Sequence, residues 1–155
     1  MSLDFYQSLP QKRMGAGCLI CDEQGRLLLV KPGYKPTWEI PGGIVEKDES
    51  PLACCRREVQ EELGLAIPVG RLLVVDYNAP SPEKSESLMF IFDGGELSAE
   101  ACGRIQLPQS ELAGWQFFAP EHLPEALSPA LRRRILAAWR QKQQGGGAYL
   151  ENQAG

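Results

Sequence analysis

GIVEKDESPLACCRREVQEELGL, running from Gly43 to Leu65, reads as a glycine turn, a short acidic loop and one helix with a defined start and stop. Ser50 is a natural N-cap, and Pro51 suits the first helical position, where its missing N–H costs nothing. Gly64 can take the left-handed conformation that closes a helix. At about 100° per residue, Leu52, Cys55, Val59 and Leu63 form one stripe that faces a core, with Cys54 nearer the acidic side. Glu58, Glu61 and Glu62 stand three and four positions apart, so their carboxylates gather on a neighbouring face. Like charges at this spacing destabilise a helix by roughly 0.2–0.5 kcal/mol per pair. A divalent cation removes that penalty, and Mg²⁺ is a hard ion that accepts carboxylate oxygens while leaving room for phosphates. Taken alone, such a run also fits a solvated acidic face.

The spacing around it narrows the choice. Gly43, five residues, Glu49, seven residues, Arg57-Glu58-Val59, one residue, Glu61-Glu62, one residue and Gly64-Leu65 match the signature of the Nudix (MutT-like) hydrolases at every specified position. The lead-in Trp38-Glu39-Ile40-Pro41-Gly42-Gly43 is similar to the approach common in that family. The resemblance implies an α/β fold, an α/β/α sandwich with a mixed central sheet. It implies that the Gly43 carbonyl joins Glu58, Glu61 and Glu62 around Mg²⁺, with Mn²⁺ as a substitute, and that Glu49 and Arg57 form a bracing ion pair. It also implies hydrolysis of a nucleoside diphosphate linked to another moiety, and a homodimer is a further expectation of the family.

One glutamate must accept the proton of the attacking water unless a metal-bound hydroxide suffices. The candidates are Glu61 within the signature, beside Glu58, and Glu111 or then Glu86 from later loops. For substrate contacts the sequence offers Trp38, Tyr34 and Tyr77 as stacking surfaces and Lys31 as a phosphate partner. Pro80 lies 15 residues beyond Leu65, similar to the pattern of ADP-ribose-cleaving members. ADP-ribose or a nucleotide sugar is the favoured substrate class, with a nucleoside triphosphate or a silent nucleotide-binding sensor as alternatives.

Composition agrees with one domain. A chain of 155 residues, 43% hydrophobic and 23% charged, buries a single sizeable core. A net charge of −4 argues against a broad nucleic-acid or membrane surface. The three consecutive arginines Arg132-Arg133-Arg134 point in three directions on one helix. Five free thiols, no long apolar run and no signal peptide place the expected location in the cytoplasm.

Along the chain, residues 1–12 read as an arm or early edge strand. Met14 to Cys21 and Arg26 to Lys31 read as two strands of a hairpin. Strands follow at Arg71 to Tyr77, Leu88 to Phe92 and Trp115 to Phe118, with a short one near Ile105. Ser128-Pro129 opens a final helix to about Gln143. The domain is expected over residues 1–144, with 145–155 a mobile tail after the Gly145-Gly146-Gly147 stop.

Overall fold

The protein is described by a computed structural model covering residues 1–108 and 111–155. The chain begins with a short exposed helix α1 (Leu3–Ser8), where an arm or strand is expected; Ser2 accepts the Phe5 N–H and starts it. The hairpin β1 (Arg13–Asp22) and β2 (Leu27–Pro32) follows as the apolar runs require. Gly42–Ile44 is a short strand, β3, rather than a plain turn. Next come α2 (Pro51–Leu63), β4 (Leu72–Asn78), β5 (Ser87–Leu97) and a one-turn α3 (Ala99–Cys102). The chain ends with β6 (Leu112–Phe118), α4 (Pro129–Gln144) and β7 (Ala148–Glu151).

One seven-stranded mixed sheet carries these elements in the order β6-β2-β1-β5-β4-β7, with β3 paired to β1 off that path. β1–β5 and β4–β7 are parallel, and the other pairings are antiparallel. Two apolar layers flank the sheet. Cys55, Val59 and Leu63 of α2 pack with Cys18, Ile20 and Leu28 on one face. Leu131, Ile135 and Ala138 of α4 pack with Leu19, Leu29 and Leu73 on the other. The α/β/α sandwich is therefore present, with the signature helix as one of its outer layers. Among the described residues, no helix is long and apolar enough to cross a membrane.

Two further local expectations are corrected. Residues after Gly147 do not trail off: β7 joins the edge of β4, Leu150 is buried, and the Gln153 N–H donates to Asp76. Burial of Leu150 and the unpaired edge of β4 outweigh the polar composition of this segment. No strand forms near Ile105. Instead β5 continues through Asp93-Gly94-Gly95 to Leu97, with a register shift against β1 and a positive φ of 73° at Gly95 absorbing the irregularity. Cys54 lies on the acidic side as expected, beside Arg57, but fully buried, its thiol directed at the carbonyls of Gly43 and Ile44.

The hairpin also splits in a way that matters below. The β1 end at Cys21 pairs with Leu27 of β2, whereas Gly15, Ala16 and Gly17 pair with β3. The first half of β1 therefore carries β3, and with it the glycine turn, on the side its second half gives to β2.

Candidate active site

The site starts from how α2 is held. The Ser50 hydroxyl accepts the Ala53 N–H at 3.1 Å, and Gly64 closes the helix at φ 69°, returning its N–H to the Gln60 carbonyl. Both helix ends are thus fixed by local chemistry, and the three glutamates ride on the last two turns.

Gly42 and Gly43 set the other wall. Gly42 has φ 151°, and a Cβ there would run into the Ala16 carbonyl of β1. Only a glycine permits so close an approach. At Gly43 the constraint is different: a Cβ would lie 2.5 Å from the Glu58 carboxyl carbon. The backbone of β3 and the carboxylate of Glu58 therefore occupy adjoining space with nothing between them.

The Gly42 N–H donates to Glu62 Oε2 at 2.8 Å. Burial nevertheless dominates at Glu62 and raises its carboxyl to about 8, with the charges of Glu58, Glu111 and Glu61 adding to the rise. Burial also raises Glu58, against the opposing pull of Arg57. Glu61 is half exposed, with its Oε2 3.3 Å from Arg57 Nη1. Arg57 is the organising cation. Its Nε and Nη2 donate to Glu49 at 2.7 and 3.0 Å, and its Nη1 donates to Glu58 at 2.9 Å. The hydrogen-bonded guanidinium holds the Glu49 carboxyl down at about 2, helped by the N–H of Glu46. The bracing pair Glu49–Arg57 thus spans the acidic loop and the helix.

The carboxylates are splayed, Glu58 and Glu61 towards Arg57 and Glu62 towards Gly42. Among the described residues no three acidic, His or Cys side chains stand together as a finished metal cage. The donor set still fits a hard divalent ion. It is all oxygen, and one member is a part-buried carboxylate with a single N–H partner whose charge burial disfavours.

Glu58, Glu62 and the Gly42-Gly43 backbone edge a cavity of about 980 Å³ on the α4 face of the sheet, while Glu61, Arg57 and Glu49 stand outside its lining. Gly15, Gly17, Met89 and Ile91 lie along its sheet side, Glu58, Glu62 and Glu111 line its acidic end, and the first turns of α4 border it. Glu111 is thus brought into the constellation by β6, although it lies far from α2 in sequence. Glu86 is not: it accepts from Lys12 and from the Tyr77 hydroxyl at 2.7 Å each. Of the sequence-derived substrate contacts, Tyr34 lines the cavity. Trp38 instead packs edge-on against Phe118 at 5.1 Å, and Lys31 donates to the Pro36 carbonyl beneath it. Tyr77, tied to Glu86, points away from the cavity. These three side chains are used by the fold.

Sequence reasoning missed Arg13, Asn78, Lys84 and Arg134, which line the far end of the cavity. No local pattern marks them, because β1, β4, the β4–β5 loop and α4 each supply one. Cys54 beside the glycine turn is inert, since burial pushes its thiol up to about 12.

Comparison with known proteins places this geometry. A family model described as NUDIX domain matches residues 11–139. The chain is 28% identical over 131 residues to a MutT-like protein of Streptomyces ambofaciens, over 84% of this chain and 79% of that one. It is 30% identical over 122 residues to a protein of Bacillus subtilis (strain 168) named "Putative 8-oxo-dGTP diphosphatase", over 78% and 76% of the two chains. Among solved structures, a UDP-X diphosphatase superposes with a TM-score of 0.75 at 27% identity, over 92% of this chain and 68% of that one.

Proposed function

The chain belongs to the NUDIX family, and on that premise we propose that it hydrolyses, with Mg²⁺, the phosphoanhydride of a nucleoside diphosphate linked to a second moiety. A nucleotide sugar or ADP-ribose is the favoured substrate, and a nucleoside monophosphate is released. The observation that carries this reading is the acidic end of one long cavity, where the Gly43 backbone, Glu58, Glu62 and Glu111 meet. The whole cavity, about 980 Å³, stands at the upper end of the range for small-molecule sites, which favours a substrate with a second moiety.

Glu58, Glu61, Glu62 and the Gly43 carbonyl are the groups that would hold the ion. Bound there, it would neutralise phosphoryl oxygens and lower the pKa of a coordinated water. The chain's own work is orientation and proton transfer. Arg57 fixes Glu58 and Glu61 while Glu49 fixes Arg57, so the helix face and the acidic loop move as one body. Water attacks phosphorus, its proton passes to a glutamate, and the bridging oxygen leaves with the other product. Glu61 and Glu111 are the two candidates for that glutamate. Glu111 is supported by its position on the cavity wall, Glu61 by its place beside the ligand set.

The test is phosphate-bond hydrolysis by the purified protein with Mg²⁺, Mn²⁺ or chelator. The panel holds ADP-ribose, nucleotide sugars, dinucleoside polyphosphates and nucleoside triphosphates. Metal-dependent turnover is expected, collapsing in Glu61→Gln or Glu111→Gln, whichever is the base, by about 10²–10⁴-fold. Binding of a nucleotide without turnover would mean a sensor instead. A second reading, nucleoside triphosphate pyrophosphohydrolysis, is supported by the Bacillus subtilis relative. Preferential cleavage of triphosphates in the same panel would select it.

A further inference from the structure

The cavity has a second polar end that the reaction described above leaves unused. Arg134 of α4 sits there with its side chain 12% exposed. Its Nε donates to Asp76 Oδ2 at 2.8 Å, and its Nη2 donates to Asn78 Oδ1 at 3.0 Å. Asp76 is fully buried, and it also accepts the backbone and side-chain N–H groups of Gln153 at 3.0 Å each. Gln153 further donates to Asn78 at 2.7 Å. The guanidinium is therefore clamped in one plane by β4 and the chain's last turn. Two of its three nitrogens are committed, and Nη1 has no hydrogen-bond partner among the described residues while the side chain lines the cavity.

Two further cations line the same end. Arg13 is oriented by the Ser85 hydroxyl and carbonyl, at 2.9 and 2.8 Å. The ammonium of Lys84, on the β4–β5 loop, makes no ion pair within 4.0 Å among the described residues. Asp76 offsets one of these three charges, so the end as a whole remains cationic. Its distance from the carboxylates follows from the sheet. Gly43 on β3 pairs with Ala16 on β1, while Asn78 on β4 pairs with Ser87 on β5, which pairs with Arg13 on β1. Three strand spacings of about 4.8 Å and an offset of about three residues along the strands put roughly 17 Å between the Gly43 and Asn78 backbones, and one spacing with the same offset puts about 11 Å between Gly43 and Arg13. Phosphates held at the acidic end do not reach Arg134 beside Asn78, so that guanidinium faces a different part of the substrate.

We propose that Arg134, Arg13 and Lys84 form an anion-recognition subsite, and that the substrate carries a second anionic group, a phosphate or carboxylate, remote from the anhydride that is cut. Arg134 is the specificity-determining residue, Asp76 and Gln153 are positioning residues for it, and Lys84 adds charge without geometry. The subsite rests on the hydrolase reading above and adds to it which members of the substrate class fit best.

The test uses matched pairs that differ in one remote anion: UDP-glucose against UDP-glucuronate for a carboxylate, and NADH against NADPH for a phosphate. Steady-state kinetics with Mg²⁺ is paired with calorimetric binding to whichever of Glu61→Gln and Glu111→Gln abolishes turnover, so that recognition is read without turnover. The expected result is a KM and a Kd about tenfold lower for the anionic member of at least one pair, with kcat little changed. That preference should vanish in Arg134→Gln and shrink in Lys84→Gln and at raised salt, with the member that lacks the remote anion changing less. Because Arg134→Gln leaves Asp76 buried without its cation, Lys84→Gln serves as the variant that cannot fail by unfolding. Equal KM and Kd within both pairs, or a preference untouched by Lys84→Gln and Arg134→Gln, would overturn the subsite while leaving the hydrolase intact. Absence of metal-dependent turnover across the whole panel would instead sink the hydrolase reading, and the binding arm would still decide the subsite.

Discussion

Two adjacent glycines of the site do different work, and substitution separates them. Gly43→Ala places a methyl against the Glu58 carboxylate at a backbone conformation that alanine tolerates. The fold should survive, with a melting temperature close to the parent, while kcat falls by about 100-fold because Glu58 is displaced. Gly42→Ala collides with the β1 backbone at a φ that disfavours a side chain, so it should lower the melting temperature before activity is even considered. Glu62 gives a second prediction at this scale. Its buried charge is penalised in the metal-free protein, so Mg²⁺ should raise the melting temperature. Glu62→Gln should raise it without metal and remove most of the Mg²⁺ increment. A thermal melt of each protein with Mg²⁺ and with EDTA reads both effects. An Mg²⁺ increment as large in Glu62→Gln as in the parent would exclude Glu62 as a ligand.

At the scale of the element, α2 and the acidic loop are joined by Glu49 and Arg57. Glu49 is held at about 2 by the guanidinium, well below its ordinary 4.5. Its folded value is depressed, so the stabilisation is complete above the ordinary value and is lost as the pH falls through about 2. Stability of the parent should therefore decline more steeply than that of Glu49→Gln as pH falls from 4.5 towards 2, measured by urea unfolding at each pH. Parallel curves would show that the pair contributes nothing. At neutral pH, Glu49→Gln should also cut kcat, because Arg57 no longer holds Glu58 and Glu61 from a fixed position.

At the scale of the molecule, the C-terminal segment is part of the sheet and of the cavity wall. Asp76 binds α4 through Arg134 and the last turn through Gln153, so one buried carboxylate ties three parts of the chain. Removing one partner of a buried ion pair leaves the other uncompensated. Asp76→Ala should destabilise the protein by roughly 3–5 kcal/mol in chemical denaturation. Truncation after Gly147 should likewise lower the melting temperature, because it bares the β4 edge and uncovers the pocket of Leu150. An unchanged melting temperature on truncation would show that β7 is an ornament of the sheet.

The signature helix, its caps and its glutamates were legible in the sequence because each depends on neighbours within a few residues. Ser50, Pro51 and Gly64 act on the adjacent backbone, and Glu58, Glu61 and Glu62 share a face by helical spacing alone. The hairpin β1–β2 and the places of β4 and β5 followed from apolar runs, and the sandwich from its family pattern. Tertiary structure decided what depends on distant partners. It packed Trp38 against Phe118 and tied Tyr77 to Glu86, and it drew the supposed tail into a strand because β4 offered an open edge and a pocket for Leu150. It set Glu111 opposite Glu58, and it gathered Arg13, Lys84 and Arg134 from separate elements into one cationic end. No local periodicity encodes such a gathering, because it is the order of the strands that sets which side chains face one another across the cavity.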